Sequence, residues 1–284
     1  MPYPCSRTAK VRQPSRRDLV RLLSLGACVA GAPSNIRAQA DGAADKLAQA
    51  ISSRSAGRDL SSVVRMELTE RGRAPRLREL VTYRLDKGDG ETANLMRFLE
   101  PEDIAGTALL GVTQADGTTD QWLFLPALDR VRRMAGDRKG GRFVGSDLYF
   151  EDLQERKPNR DRHQLLAPEV LGGVSCQLLE STPVEAANSV YLKRLSWVDP
   201  QTSMVMRLDY FERDDKRPSK RWVLGQRRRI QNIWTVTDST MTDLGSGHET
   251  RLLMQKAVYD RKLPARLFSA RSLGNEQLEQ EFRP

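Results

Sequence analysis

The chain has 284 residues, with 46 Lys and Arg against 37 Asp and Glu, a formal net charge of +9, three cysteines and two histidines. The excess charge is concentrated at the start: residues 1–40 hold seven Lys/Arg and one acid, which leaves 39 basic and 36 acidic residues and a net charge of about +3 in the 244 that follow. Nucleic-acid binding loses its electrostatic basis, and so few cysteines exclude a disulfide-built scaffold.

Taken from the N-terminus, Ser15-Arg16-Arg17-Asp18-Leu19 is a twin-arginine signature. A mildly apolar run, LVRLLSLGACVAGA, and the small-residue triplet Ala38-Gln39-Ala40 follow it. This order predicts a signal peptide over residues 1–40, cleaved after Ala40, and a periplasmic domain over residues 41–284. The bland alternative is a basic leader without export function. Leu25-Gly26-Ala27-Cys28 resembles a lipoprotein cleavage box, and its use would leave Cys28 lipidated and the protein anchored to a membrane. The apolar run is too short and too polar for a span of about 20 residues. After cleavage at Ala40 only Cys176 remains, and its alternation with Val174 and Leu178 suits a small buried hydrophobe. Stability must then come from apolar burial, for which one domain of this length suffices.

Leu47, Ala50 and Ile51 predict a short amphipathic helix from Asp45 to about Ser55, ended by Gly57. The period then changes to two. VVRMELTE, LRELVTYRLD and ETANLMRFLE read as strands separated by turn-rich ERGRAP and KGDG. Val64, Met66 and Leu68 alternate with Val63, Arg65 and Glu67, the pattern of an antiparallel meander with one wet face. Strand-like segments continue through GTALLGVT, DQWLFLP, RVRRMA and on to ETRLLMQKAVYD, for about ten to eleven strands in all. Pro264–Leu273 reads as a helical turn or short helix. A mainly β (α+β) domain built on a single curved antiparallel sheet follows from this pattern.

The runs FLEPEDIAGTALL, QWLFLPALDRVRR and GRFVGSDLYFEDL, with YDRKLPARLFSARSL near the C-terminus, resemble the outer-membrane lipoprotein-sorting proteins of the LolA-like superfamily. The resemblance extends from about residue 45 to 275. It implies an unclosed half-barrel with helices over its concave face. It also implies a role in carrying or sensing hydrophobic ligands, often beside an inner-membrane exporter of the efflux type.

On a strand, Trp122 and Phe124 face one side and Leu123 and Leu125 the other. Trp122 and Phe124, with the nearby aliphatics, are the expected cavity liners, although which face lines the cavity is open; the alternative is that all four are ordinary core. Met96 and Phe98 on the preceding segment are further candidate liners. Arg130, Arg132 and Arg133 either form a polar rim for a ligand headgroup or pair with Asp147, Glu151 and Asp152. Arg227-Arg228-Arg229 reads as a solvated sheet edge.

Catalysis finds no foothold. His163 and His248 lack a metal-ligand spacing, Ser146 lacks a nucleophile-elbow context, and no phosphate-binding glycine loop opens a helix. No catalytic residue, metal or cofactor is expected. Alternating strands broken by Arg194, Arg207 and Asp209 do not suit an integral outer-membrane barrel. Two functions stand: a monomeric periplasmic carrier of lipid or lipidated protein between an inner-membrane transporter and the outer membrane, or a lipid- or lipoprotein-sensing regulatory module of the same fold.

Overall fold

The computed structural model describes residues 34–135 and 139–284, and for residues 34–41 the backbone alone. The twin-arginine segment and Cys28 lie outside the described residues. Helix α1 (Ser34–Ser52) starts ahead of the expected helix, and its backbone includes the Ala38–Ala40 triplet. Thirteen strands follow: β1 (Asp59–Thr69), β2 (Arg76–Gly88), β3 (Glu91–Glu100), β4 (Ala108–Thr113), β5 (Thr119–Leu125), β6 (Arg130–Arg133), β7 (Asp161–Leu171), β8 (Val174–Pro183), β9 (Lys193–Val198), β10 (Val205–Phe211), β11 (Lys220–Ile230), β12 (Ile233–Asp243) and β13 (Glu249–Tyr259). The expected ten to eleven is an undercount, since every strand-like segment, RVRRMA included, forms a strand. The segment expected as a turn or short helix, Pro264–Leu273, holds one single turn, Ala265–Leu267, and runs into a second, Ser272–Gly274, before helix α2 (Gln277–Gln280).

All thirteen strands form one sheet in the order β6-β5-β4-β3-β2-β1-β13-β12-β11-β10-β9-β8-β7. Every strand pairs antiparallel with its neighbours. The first and last strands meet mid-sheet, where Leu60 lies opposite Tyr259. The two free edges, β6 and β7, are consecutive in the chain, so the segment between them must cross from one edge to the other.

That crossing reveals the curvature. Gln121 of β5 donates from Nε2 to the Phe150 carbonyl (2.9 Å), while the Tyr191 hydroxyl, just ahead of β9, donates to Asp152 (2.7 Å). In a flat sheet β5 and β9 would stand nine strand intervals, about 43 Å, apart at ~4.8 Å per interval. Phe150 and Asp152 span only about 7 Å. The sheet is therefore curled into an unclosed half-barrel, with the crossing segment on its inner face.

Two apolar cores follow from the alternation of the strands. On the inner face Met66, Leu68, Leu80, Phe98, Leu109 and Met241 pack against Phe143, Leu148 and Phe150 of the crossing segment. Burial of side chains this size contributes about 1.5–3 kcal/mol each. Helix α1 occupies the same face farther along, setting Ala44, Leu47 and Ala48 on Leu179 and Val198. On the outer face Val81, Tyr83, Leu95 and Leu110 lie under Leu263, Leu267, Phe268 and Leu273 of the C-terminal segment. Asp59 pins the start of that segment, accepting from the backbone N–H groups of Arg261 (2.8 Å) and Leu263 (3.1 Å). Arg97 and Glu279, both 1% exposed, pair at 2.5 Å and pin its end.

The expectation of one wet face thus holds for β1 but fails for β4, where all six residues are buried because the C-terminal segment covers the second side. Arg227–Arg229 lies beyond the part of β11 that pairs with β10 (Lys220–Val223), so it has a strand neighbour only in β12, and Arg228 and Arg229 are exposed as expected of a solvated edge. Arg227 pairs with Asp199 (2.7 Å), and the guanidinium groups of Arg227 and Arg229 lie 5.3 and 5.1 Å from the Trp234 ring centroid.

Candidate ligand-binding site

Strand β5 divides the expected liners between the two faces. Trp122 and Phe124 point outward into the core beneath the C-terminal segment, where a Cβ on Gly274 would stand 3.8 Å from the Phe124 ring. This corrects their expected place: the aromatic pair belongs to the outer core and does not face the hollow. Leu123 and Leu125, half-buried, face inward and border an open cavity of about 1030 Å³. Met134, Ala135, Gly140, Gly141 and Phe150 complete its walls, with Arg132 and Arg133 at its margin. Its size matches the upper end of small-molecule pockets, roughly 300–1,000 Å³.

Met96 and Phe98 also face inward, but they belong to the packed core rather than to the cavity. Phe98 is 1% exposed and stacks on Phe143 with ring centroids 5.5 Å apart, and Met96 packs against the same cluster. The sidedness follows from the register, since Leu109 lies opposite both Met96 and Leu123.

Arg130, Arg132 and Arg133 are exposed on edge strand β6. Arg133 pairs with Asp120 of β5, and the expected pairing with Asp147, Glu151 and Asp152 does not form. Those three acids find other partners because the crossing segment folds inward, away from β6. Asp147 pairs with Arg142 (3.0 Å) and His248 (2.5 Å), and it accepts from the Thr250 hydroxyl (2.7 Å). Glu151 accepts from the Ser189 hydroxyl (2.5 Å) and the Val190 N–H (2.7 Å).

Asp152 pairs at 2.7 Å with Lys220, both side chains being 2% exposed. The Lys220 ammonium also donates to the Asp147 carbonyl (3.0 Å) and stands 3.4, 5.3 and 5.5 Å from the ring centroids of Tyr149, Tyr191 and Tyr210. Burial, reinforced by the Glu212 charge, pushes the Tyr149 hydroxyl up to about 12. Tyr191 and Tyr210 are raised further, by burial first and then by the Asp152 charge. The three phenols therefore stay neutral, and their faces solvate the ammonium. These contacts hold the segment against the inner wall and set one side of the cavity.

Ser146 is fully buried and donates to the Phe143 carbonyl (2.7 Å), and His163 is held between Ser181 and the Pro158 carbonyl (both 2.9 Å). Among the described residues no group of three or more His, Cys, Asp or Glu is placed to hold a metal.

A family model described as "-like: Uncharacterized protein" matches residues 90–275, and a search of curated proteins finds no match. Among solved structures, a domain provisionally described as an outer membrane lipoprotein-sorting protein domain, from Vibrio parahaemolyticus, superposes with a TM-score of 0.78. It is 26% identical and covers 83% of this chain and 100% of its own. A DUF1329 family protein from Desulfovibrio piger also gives 0.78, at 28% identity over 82% of this chain and 99% of its own. The chain belongs to the family whose model spans residues 90–275, and it has the LolA-like fold of the Vibrio domain. A LolA superfamily protein from Nitrosomonas europaea, 20% identical, shares the fold with a TM-score of 0.63 over 80% of this chain and 97% of its own.

In this LolA-like chain the crossing segment fills the middle of the half-barrel with Phe143, Leu148 and Phe150, leaving the hollow open beneath β5 and β6. Sequence reasoning missed Met134, Ala135, Gly140, Gly141 and Phe150 as liners. The available signal was their position in the stretch that carries the family resemblance, between RVRR and EDL. No described helix of this LolA-like protein is long and apolar enough to cross a membrane.

Proposed function

We propose that the protein is a non-catalytic, monomeric periplasmic carrier. In this reading it moves lipoprotein acyl chains or lipid from an inner-membrane exporter of the efflux type toward the outer membrane. The observation that carries the reading is the apolar cavity of about 1030 Å³ between Leu123, Leu125, Met134 and Phe150, open on the inner face of a half-barrel. The lipoprotein-sorting description of the Vibrio relative supports the same class of cargo. Each methylene taken from water contributes about 0.8 kcal/mol, so ten supply about 8 kcal/mol. The ordering cost of binding reduces this, and the affinity left is micromolar or weaker, as suits a cargo that must be released.

Binding of a fluorescent fatty acid to Leu123→Arg and Trp122→Ala tests the assignment. The inward charge of Leu123→Arg should weaken binding at least about tenfold, while the outward Trp122→Ala leaves it near wild type in folded protein. Unchanged affinity in folded Leu123→Arg removes the cavity from the function.

A further inference from the structure

A second cleft, of about 540 Å³, adjoins the apolar cavity and shares Arg133, Met134, Ala135 and Phe150 with it. Its other walls have the opposite chemistry. Lys139, Arg156 and Arg160 line it beside the amides of Gln121 and Gln154, and among the described residues Asp120 is its only carboxylate.

The cleft lies where the segment leading into edge strand β7 meets the β4–β5 turn. Asn159, ahead of β7, donates from Nδ2 to the Asp116 carbonyl in the β4–β5 turn (3.2 Å). The stem of Arg160 lies against Gly117 of that turn, where a Cβ would come within 2.8 Å of Arg160 Cγ. Gly117 has φ +84°, a conformation glycine adopts without strain. The absence of a side chain there is what lets Arg160 reach into the seam.

Two of the four described cations lining the cleft are held in ion pairs. Arg133 is spent on Asp120, and Arg156 on Asp161 (2.7 Å) together with the carbonyls of Asn188 and Arg160 (both 3.2 Å). Arg160 and Lys139 have no ion-pair partner among the described residues. Both border a cleft continuous with an apolar hollow. An apolar compartment opening directly into a cationic one is complementary to a molecule with an aliphatic chain and an anionic end.

We infer that the cargo is an anionic amphiphile, its chain lying along Leu123, Leu125 and Phe150 and its carboxylate or phosphate facing Arg160 and Lys139. This rests on the carrier reading and narrows its substrate class.

Palmitate, palmitoyl lysophosphatidate and neutral monopalmitoylglycerol share one chain and differ at the head. Their competition against a fluorescent probe, with the whole protein at low and high salt, tests the inference. At low salt the anions should bind about tenfold or more tightly than the neutral lipid, and salt should narrow the gap. The tighter of the two anions distinguishes a carboxylate from a phosphate site. The double variant Lys139→Gln/Arg160→Gln should lose that advantage while binding monopalmitoylglycerol as the wild type does. Equal binding of all three lipids by the wild type, or an undiminished anion preference in the variant, overturns the inference and leaves the carrier reading standing. Binding of none of the three overturns both.

Discussion

Replacing Lys220 by Met should lower stability by about 3–5 kcal/mol, the range for removing one partner of a buried ion pair. The ammonium donates to Asp152 at 2.7 Å and to the Asp147 carbonyl at 3.0 Å, with both charged side chains 2% exposed. Met fills a similar volume but leaves the Asp152 carboxylate with only the Tyr191 hydroxyl and the Tyr149 N–H as donors. Both are neutral groups, so a buried charge goes uncompensated. Loss of the ammonium over the Tyr149 ring acts in the same direction. For a chain of this size each kcal/mol moves the melting temperature by about 2–4 °C, so the drop should be about 6–20 °C. Urea and thermal unfolding followed by circular dichroism measure it. The companion Lys220→Met/Asp152→Leu removes both charges and should recover most of the loss, because an apolar replacement for the whole pair has no charge left to desolvate. A single variant within about 1 kcal/mol of wild type, or a double variant no better than the single, would refute the ion-pair account.

Glu279→Gln should cost about 3 kcal/mol by leaving Arg97 buried without its counter-charge. Limited proteolysis should then cut the segment after Leu263 well before the sheet, and cleavage at the wild-type rate would show that the pair does not pin it. Asp161 gives the pH dependence. Burial alone would raise its carboxyl, but hydrogen bonds from Arg156 and the charge of Arg194 outweigh that and hold it below its ordinary value. A carboxyl depressed in the folded state contributes stability that is present at neutral pH and lost as pH falls through its folded-state value. Asp161→Asn should therefore be less stable at neutral pH and lose less stability below about pH 4. Parallel acid-unfolding curves for the two proteins would disprove the role assigned to this carboxyl.

The period-two pattern was enough to read the antiparallel meander, because strands such as Val63–Leu68 alternate cleanly between apolar and charged residues. Sidedness in β5 was not readable for a related reason. DQWLFL alternates an aromatic pair with an aliphatic pair, both apolar, and the choice between them depends on a C-terminal segment more than 130 residues away. Leu263, Leu267, Phe268 and Leu273 cover the aromatic side without any strand-like spacing of their own. Arg97 and Lys220 were invisible as core residues, since a single charge in a strand reads as a wet face until its buried partner is known. In the basic run at 227–229 the contacts of Arg227 and Arg229 with Asp199 and Trp234 were unreadable for the same reason, since they come from neighbouring structure. A second charged edge is β6, whose four residues are all exposed.

The meeting of Leu60 with Tyr259 makes the wall of this half-barrel a late achievement of folding. Each hairpin forms from neighbours in sequence, yet the two fans of strands are laced together only when the most distant parts of the domain find each other. Contacts of that range make folding slow. Until the lacing is complete, the lips of β1 and β13 stand open to strands of other molecules. A product that stopped short of β13 would therefore keep two sticky, unjoined wings.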